Sequence, residues 1–258
     1  MKTVSIIQAR MGSTRLPGKI SKLILGKPML TQMLERVKKA KKIDEIIVAT
    51  TNKSEDDLTA KIAEESGVKV FRGSELDVLD RFYCAAKNFD ADIVVRLTGD
   101  CPLMDPQVID GVITRFQKLQ NIIDYSSTPH NYPEGLDVEI FSFSALKLAA
   151  HEAGLPSERE HVSLFIKNHP ERFGIDVWKE GHRDDSKMHW SVDSQSDFDF
   201  VTKVYEKLYP INSNFDKDEI IQLLSENPSF LKINEGGTGY EGLAKSLKED
   251  EEFKKNKK

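Results

Sequence analysis

Apolar positions change their period along this chain, and the change predicts its elements. Short, nearly continuous apolar runs occur at 4–7, 46–49, 68–71 and 93–95. Between them apolar residues recur every three or four positions, so Met29, Leu30, Met33, Leu34 and Val37 mark one helical face and Leu58, Ile62 and Ala63 another. A third helix is expected to carry Leu76, Leu79, Phe82, Tyr83 and Ala86, with Ser74 as its N-cap and Asp77 in its first turn. A fourth is expected from Pro106 to about Leu119, capped by Asp105 with Pro106 at the first helical position. Buried strands alternating with amphipathic helices predict an α/β fold, a mainly parallel sheet with crossover helices.

After Asp124 the pattern loosens. "DYSST" and "LDVEIF" read as extended pieces flanking the turn-rich "PHNYPEG", followed by helices over 143–152 and 157–168. "FGIDVW" and "HWSV" read as strands and "SDFDFVTKVYEKL" as an amphipathic helix. Residues 1–235 are read as a single domain. The segment 236–258, ending "KEDEEFKKNKK", is read as a charged tail forming a solvated or frayed helix.

Composition narrows the function classes. The chain has 258 residues, 39% of them hydrophobic and 31% charged, enough apolar matter to fold as a soluble globular protein. No run approaches the roughly 18 apolar residues of a membrane helix, and the N-terminus lacks a signal-peptide pattern, so a cytoplasmic protein without a membrane partner is expected. Cys84 and Cys101 allow no disulfide framework or CxxC zinc site, and the six histidines form no HExxH or HxxxH pair. A net charge of −5 argues against nucleic acid as a partner, yet Arg10, Arg15 and Lys19 cluster locally and suit a compact anion.

Ligands of open α/β sheets bind beyond the carboxyl ends of strands, which directs attention to three segments. The first, "QARMGSTRLPGKI" at 8–20, resembles a Walker loop, but five residues separate Gly12 from Gly18 and Ile20 stands where the magnesium-binding hydroxyl belongs. Its two glycines, the Ser13 hydroxyl and the cations Arg10, Arg15 and Lys19 still suit phosphate oxygens, and favour an anion site over a merely basic surface loop. A metal beside it would need carboxylates from elsewhere. The second segment, "RLTGDCPLMDP" at 96–106, offers Asp100 after Gly99; taken alone, Asp100 serves equally well as a metal ligand or a turn residue. The third, "HWSVDSQSDFDF" at 189–200, offers Asp193, by itself more a cap or turn residue than a ligand, while Asp197 suits a helix start.

These residues carry a resemblance. "IIQARMGSTRLPGK" is similar to the L-x-x-R-x-x-S-x-R-L-P-x-K signature of the sugar cytidylyltransferases, which include the CMP-Kdo and CMP-sialic acid synthetases. "LTGDCPLMDP", "YPEGLDVEIFS", "EREHVS" and "HWSVDSQSDFDFV" extend it toward the branch of spore coat polysaccharide biosynthesis protein F, over roughly residues 4 to 208 and in order. The resemblance implies a Rossmann-like nucleotidyltransferase fold with CTP over the first loop. It implies that Arg10, Ser13, Arg15 and Lys19, with Gly12 beside them, contact the nucleotide, and that Asp100 and Asp193 hold Mg²⁺. It also implies a homodimer, for which the arm within about 123–142 is the candidate.

The expected reaction is nucleotidyl transfer: the oxygen of a small sugar-like acceptor attacks the α-phosphorus of CTP and expels pyrophosphate. Arg10, Lys19 and Asp100 are the expected catalytic residues. Candidates for the acceptor site are Arg96, Tyr132, Glu134, Asp137, Glu139, Arg159 and His161. Set against them, Arg159 and Glu160 could be an exposed ion pair of little value, and His161 a half-buried packing residue. Two other functions compete. A nucleotide-sugar glycosyltransferase would use a D-x-D motif, where "GDCP" offers one Asp; an inactive nucleotide-binding module would have no need of Lys19, Asp100 and Asp193 together.

Overall fold

The computed structural model describes residues 1–178, 183–235 and 241–256. His182, one of the six histidines, and the start of the tail at 236–240 lie outside the described residues. The first half alternates strand and helix: β1 (Thr3–Gln8), the short β2 (Leu23–Ile24) and β3 (Lys27–Pro28), α1 (Met29–Val37), β4 (Glu45–Thr51), α2 (Asp57–Glu65), β5 (Lys69–Gly73), α3 (Val78–Asn88), β6 (Ile93–Thr98) and α4 (Pro106–Leu119). The second half adds β7 (Tyr125–Ser127), β8 (Glu139–Ser142), α5 (Phe143–Glu152), α6 (Pro156–Glu160), α7 (Leu164–Asn168), β9 (Ile175–Val177), α8 (Gln195–Leu208), α9 (Lys217–Glu226) and α10 (Glu241–Asn256).

Seven strands form one sheet in the order β5-β4-β1-β6-β8-β7-β9, with β2 and β3 a separate antiparallel pair. β5, β4, β1 and β6 run parallel, β8 runs against both β6 and β7, and β9 is parallel to β7. The sheet is buried on both faces. Val4 and Ile6 of β1 and Val94 of β6 pack with α3, α5 and α7, whereas Ile7, Ile93, Val95 and Leu97 pack with α1, α4 and α8. Burial on both faces is why these strands read as continuous apolar runs instead of alternating ones.

Register places the chemistry. Gln8 at the end of β1 pairs with Thr98 at the end of β6, so the loop after β1 meets the turn after β6. The Gly99 N–H donates to the Gln8 carbonyl at 2.8 Å, and a Cβ on Gly99 would stand 2.8 Å from the Ala9 Cβ. Gly99 is thus required by close approach of two backbones.

Several elements differ from the sequence expectation. Helix α3 begins after Asp77, whose side chain accepts from the Asp80 N–H at 2.9 Å; Ser74 instead caps the turn before it, accepting from the Asp77 N–H, and Leu76 is left 85% exposed. The helix expected over 157–168 is split into α6 and α7, because Ser163 donates its hydroxyl to buried Glu139 and draws the chain inward at the break. "HWSV" makes only an isolated bridge, His189 with Glu134, since its next backbone donor, Val192 N–H, turns to the Asp100 carbonyl. Within 123–142, by contrast, the two pieces expected to be extended are strands, β7 and β8 of the main sheet. The described part of the tail is a helix docked on α6, with Ser246 and Asp250 buried, instead of a solvated one.

Candidate active site

Loop 9–19 owes its shape to two kinds of anchor. Leu16 and Ile20 insert into the core, Ile20 being 1% exposed, and the Met11 carbonyl accepts from the Ser13 and Gly18 N–H groups. Gly18 adopts φ +67°, a left-handed conformation that favours glycine. Fully buried Asp56 accepts from the Met11 N–H at 2.7 Å and from the hydroxyls of Thr51 and Thr59. Ile20, which stands where a Walker loop has its hydroxyl, is therefore a core anchor that fixes the neighbouring Lys19.

Lys19 is the centre of the site. Its Nζ donates to Asp100 Oδ2 at 2.9 Å, to Asp193 Oδ1 at 3.0 Å and to the Val192 carbonyl at 2.7 Å, which uses all three of its protons. Arg15 joins Asp193 Oδ1 at 2.9 Å. Burial opposes the charge on Lys19, but the two carboxylates outweigh it and raise its pKa. Burial likewise opposes the charge on Asp100, and Lys19 overrides it, holding the carboxyl below its usual range.

Asp193 is positioned by a buried network behind it. Asp197 Oδ2 accepts from the N–H groups of Asp193 (3.1 Å) and Ser194 (2.8 Å), and its Oδ1 lies 3.6 Å from His189 Nε2. The other ring nitrogen of His189 meets Glu134 Oε2 at 2.8 Å. Burial works against the imidazolium, but hydrogen bonds to Asp197 and Glu134 prevail and raise the pKa of His189 to about 10. Asn234 closes the network, donating to the His189 carbonyl and to Asp197.

Arg15, Lys19, Asp100 and Asp193 line a cleft of about 860 Å³, a volume suited to a nucleotide and a second small molecule. Arg10, Gly12, Ser13, Arg15, Lys19, Asp100, Asp193, Arg159 and His161 all line it. Arg10 reaches Glu75 at 3.5 Å, and Arg159 is held by Asp77, with its Nε 2.9 Å from Asp77 Oδ2. The remaining candidates lie outside the lining. Arg96 pairs with Glu139 and with Gln8, while Glu139 also accepts from Tyr125, Ser163 and Lys167; this knot ties β8 to its neighbours and keeps Glu139 far below the usual carboxylate range despite its burial. Tyr132 packs near Trp178, Glu134 serves His189, and Asp137 accepts from the Gly135 N–H.

Sequence reading did not find the other wall: Glu75, Asp77 and Arg81 at the start of α3, and Lys245, Glu249 and Phe253 on α10. The first group follows the carboxyl end of β5, so the rule that selected Asp100 would have selected it too. Arg81 is 3% exposed, and its Nε is buried without a hydrogen-bond partner. Among the described residues no group of three or more His, Cys, Asp or Glu could hold a metal, and no helix is long and apolar enough to cross a membrane.

The chain is similar to several known proteins. The uncharacterised protein MJ1063 of Methanocaldococcus jannaschii is 40% identical over 91% of this chain and 95% of its own length. Spore coat polysaccharide biosynthesis protein SpsF of Bacillus subtilis is 32% identical over 86% of this chain and 94% of its own. A cytidylyltransferase structure from Leptospira borgpetersenii superposes with a TM-score of 0.85 at 37% identity, covering 93% of this chain and 99% of that one. Residues 4–234 match the cytidylyltransferase family, and the chain belongs to it, as an enzyme with the nucleotidyltransferase fold.

Proposed function

We propose that the cleft binds CTP with its triphosphate against loop 9–19 and transfers the cytidylyl group to an oxygen of a small, anionic, sugar-like acceptor. The acceptor oxygen bonds to the α-phosphorus, the bond from that phosphorus to the bridging oxygen breaks, and pyrophosphate leaves with its electron pair. The observation carrying this reading is the convergence of Asp100 and Asp193 on one cation, Lys19, beneath a loop bearing Arg10, Ser13 and Arg15.

The same convergence is the test of fit for magnesium. Two carboxylates from separate segments, tied by the Val192 N–H to Asp100 carbonyl bond of 2.8 Å, already reach a common positive charge. Hard oxygen donors of this kind suit Mg²⁺, and Asp100 and Asp193 would hold it. When bound, the ion supplies charge neutralisation at the phosphates and lowers the pKa of an acceptor hydroxyl. Arg10 and Arg15 orient the triphosphate, and with Lys19 they offset the charge that develops on the leaving pyrophosphate. Ser13 and the backbone of Gly12 offer short polar contacts to phosphate oxygens. Arg159 and His161 also line the cleft and are the residues proposed to meet the anionic acceptor.

A screen of pyrophosphate release tests the reading, with four nucleoside triphosphates set against sugar acids, sugar phosphates, and phosphorylated alditols or amides. CTP should support release with at least one acceptor class, chelation should stop it and Mg²⁺ restore it. Release from another nucleotide in preference to CTP, or unaltered release after chelation, would overturn it.

A further inference from the structure

Helix α10 begins at Glu241, beyond residues 4–234 where the family match ends, yet it forms part of the cleft wall. Gly242, Ser246, Glu249 and Phe253 recur at spacings of four, three and four, so they share one helical stripe, and all line the cleft together with Lys245. The helix is fastened by polar latches. Asp250, 3% exposed, accepts from the Ser157 N–H at 2.9 Å and from its hydroxyl at 2.5 Å, capping the start of α6. Ser246, 6% exposed, lies 3.1 Å from His161 Nε2. Such buried, specific contacts fix the helix against α6, whose Arg159 in turn grips Asp77, the N-cap of α3.

We propose that α10 is the acceptor-binding wall of this enzyme, with Lys245 as the cation that meets the acceptor's anionic group. The inference rests on the cytidylyl-transfer reading above. The cytidylyl donor is what members of the family share, and it is served by residues within the matched region. A wall built from residues outside that region addresses the other substrate. Its chemistry is that of a polyhydroxylated anion: Lys245 supplies positive charge, Glu249 accepts from hydroxyls, and Phe253 offers an aromatic face. The Lys245 side chain is 80% exposed and its pair with Glu249 spans 3.8 Å, a surface contact weak enough to yield to an anionic ligand.

The test compares wild type with Lys245→Ala, Lys245→Arg and Asp250→Asn in the full chain. Inorganic phosphate and N-acetylneuraminate are titrated calorimetrically into protein preloaded with Mg²⁺ and the α,β-methylene analogue of CTP. At least one probe should bind wild type, Lys245→Ala should weaken it about tenfold or more, Lys245→Arg should largely restore it, and Asp250→Asn should weaken it by undocking the helix. Affinity for the CTP analogue should stay within about twofold in every variant. Equal probe affinity in wild type and Lys245→Ala, no probe binding to the loaded wild type, or a loss confined to the CTP analogue would each overturn the inference. Failure of wild type to bind the CTP analogue at all would instead overturn the cytidylyl-transfer reading.

Discussion

At the scale of single residues, the loop after β1 shows how much one position can convey. Ile20 reads in the sequence as a missing hydroxyl, and that absence directs the search for metal ligands to Asp100 and Asp193. In the structure its side chain is a core anchor, and Lys19 beside it takes both carboxylates. Arg10, Ser13, Arg15, Lys19 and Asp100, which line one cleft, could be picked out because they lie in the loop after β1 and the turn after β6, where local sequence and position in the fold coincide. Arg96, just before the turn after β6, and Glu139, on the extended piece after the "PHNYPEG" turn, were expected at the acceptor site but lie outside the cleft lining. Their partners, Gln8 and Tyr125, Ser163 and Lys167, come from distant strands and helices that no local pattern joins. Gly99 carries a prediction at this scale. Gly99→Ala puts a methyl 2.8 Å from the Ala9 Cβ and should cost about 1–3 kcal/mol of stability, read as a lower urea midpoint, with reduced turnover because Asp100 moves with it. An unchanged midpoint would mean that β1 and the turn after β6 separate freely.

At the scale of elements, the helices that the sequence located well are those whose caps act locally. Asp105 accepts from the Gln107 N–H at 2.7 Å, as expected of an N-cap, and its other oxygen accepts from the Lys217 N–H at 2.7 Å. One carboxylate therefore starts both α4 and α9. Asp105→Ala should destabilise the fold by about 1–2 kcal/mol, toward the upper end for a cap because two helix starts lose it. Thermal or denaturant unfolding checks this, and a loss below a few tenths of a kcal/mol would show that the α9 contact is idle. The α6–α7 break and the docking of α10 were not legible. Both depend on side chains meeting across 24 to 93 residues, Ser163 with Glu139 and Ser157 with Asp250, and hydrophobic periodicity contains no trace of such pairs.

At the scale of the whole molecule, the parallel half of the sheet was legible because burial on both faces leaves continuous apolar runs. β7, β8 and β9 were legible as extended pieces, but not their order or direction, because strands only three or four residues long carry no signal of which neighbour they pair with. Stability should also depend on pH through His189. Its pKa is near 6.5 in an unfolded chain and about 10 in the fold, so the charged form favours folding. Its stabilising contribution is complete below about pH 6.5 and is lost as pH rises through about 10. The difference in urea midpoint between wild type and His189→Gln should therefore be wide at pH 6 and narrow steadily toward pH 10. A constant difference would remove the Glu134–His189–Asp197 charge network from the account of how Asp193 is positioned.

The central claim is that Lys19, Asp100 and Asp193 form one phosphate-handling centre, and steady-state pyrophosphate release from CTP and an accepted acceptor tests it most directly. Lys19→Ala and Asp100→Asn should each lower turnover by about 100-fold or more, while circular dichroism shows the fold retained. Turnover within a few-fold of wild type in either folded variant would contradict the claim.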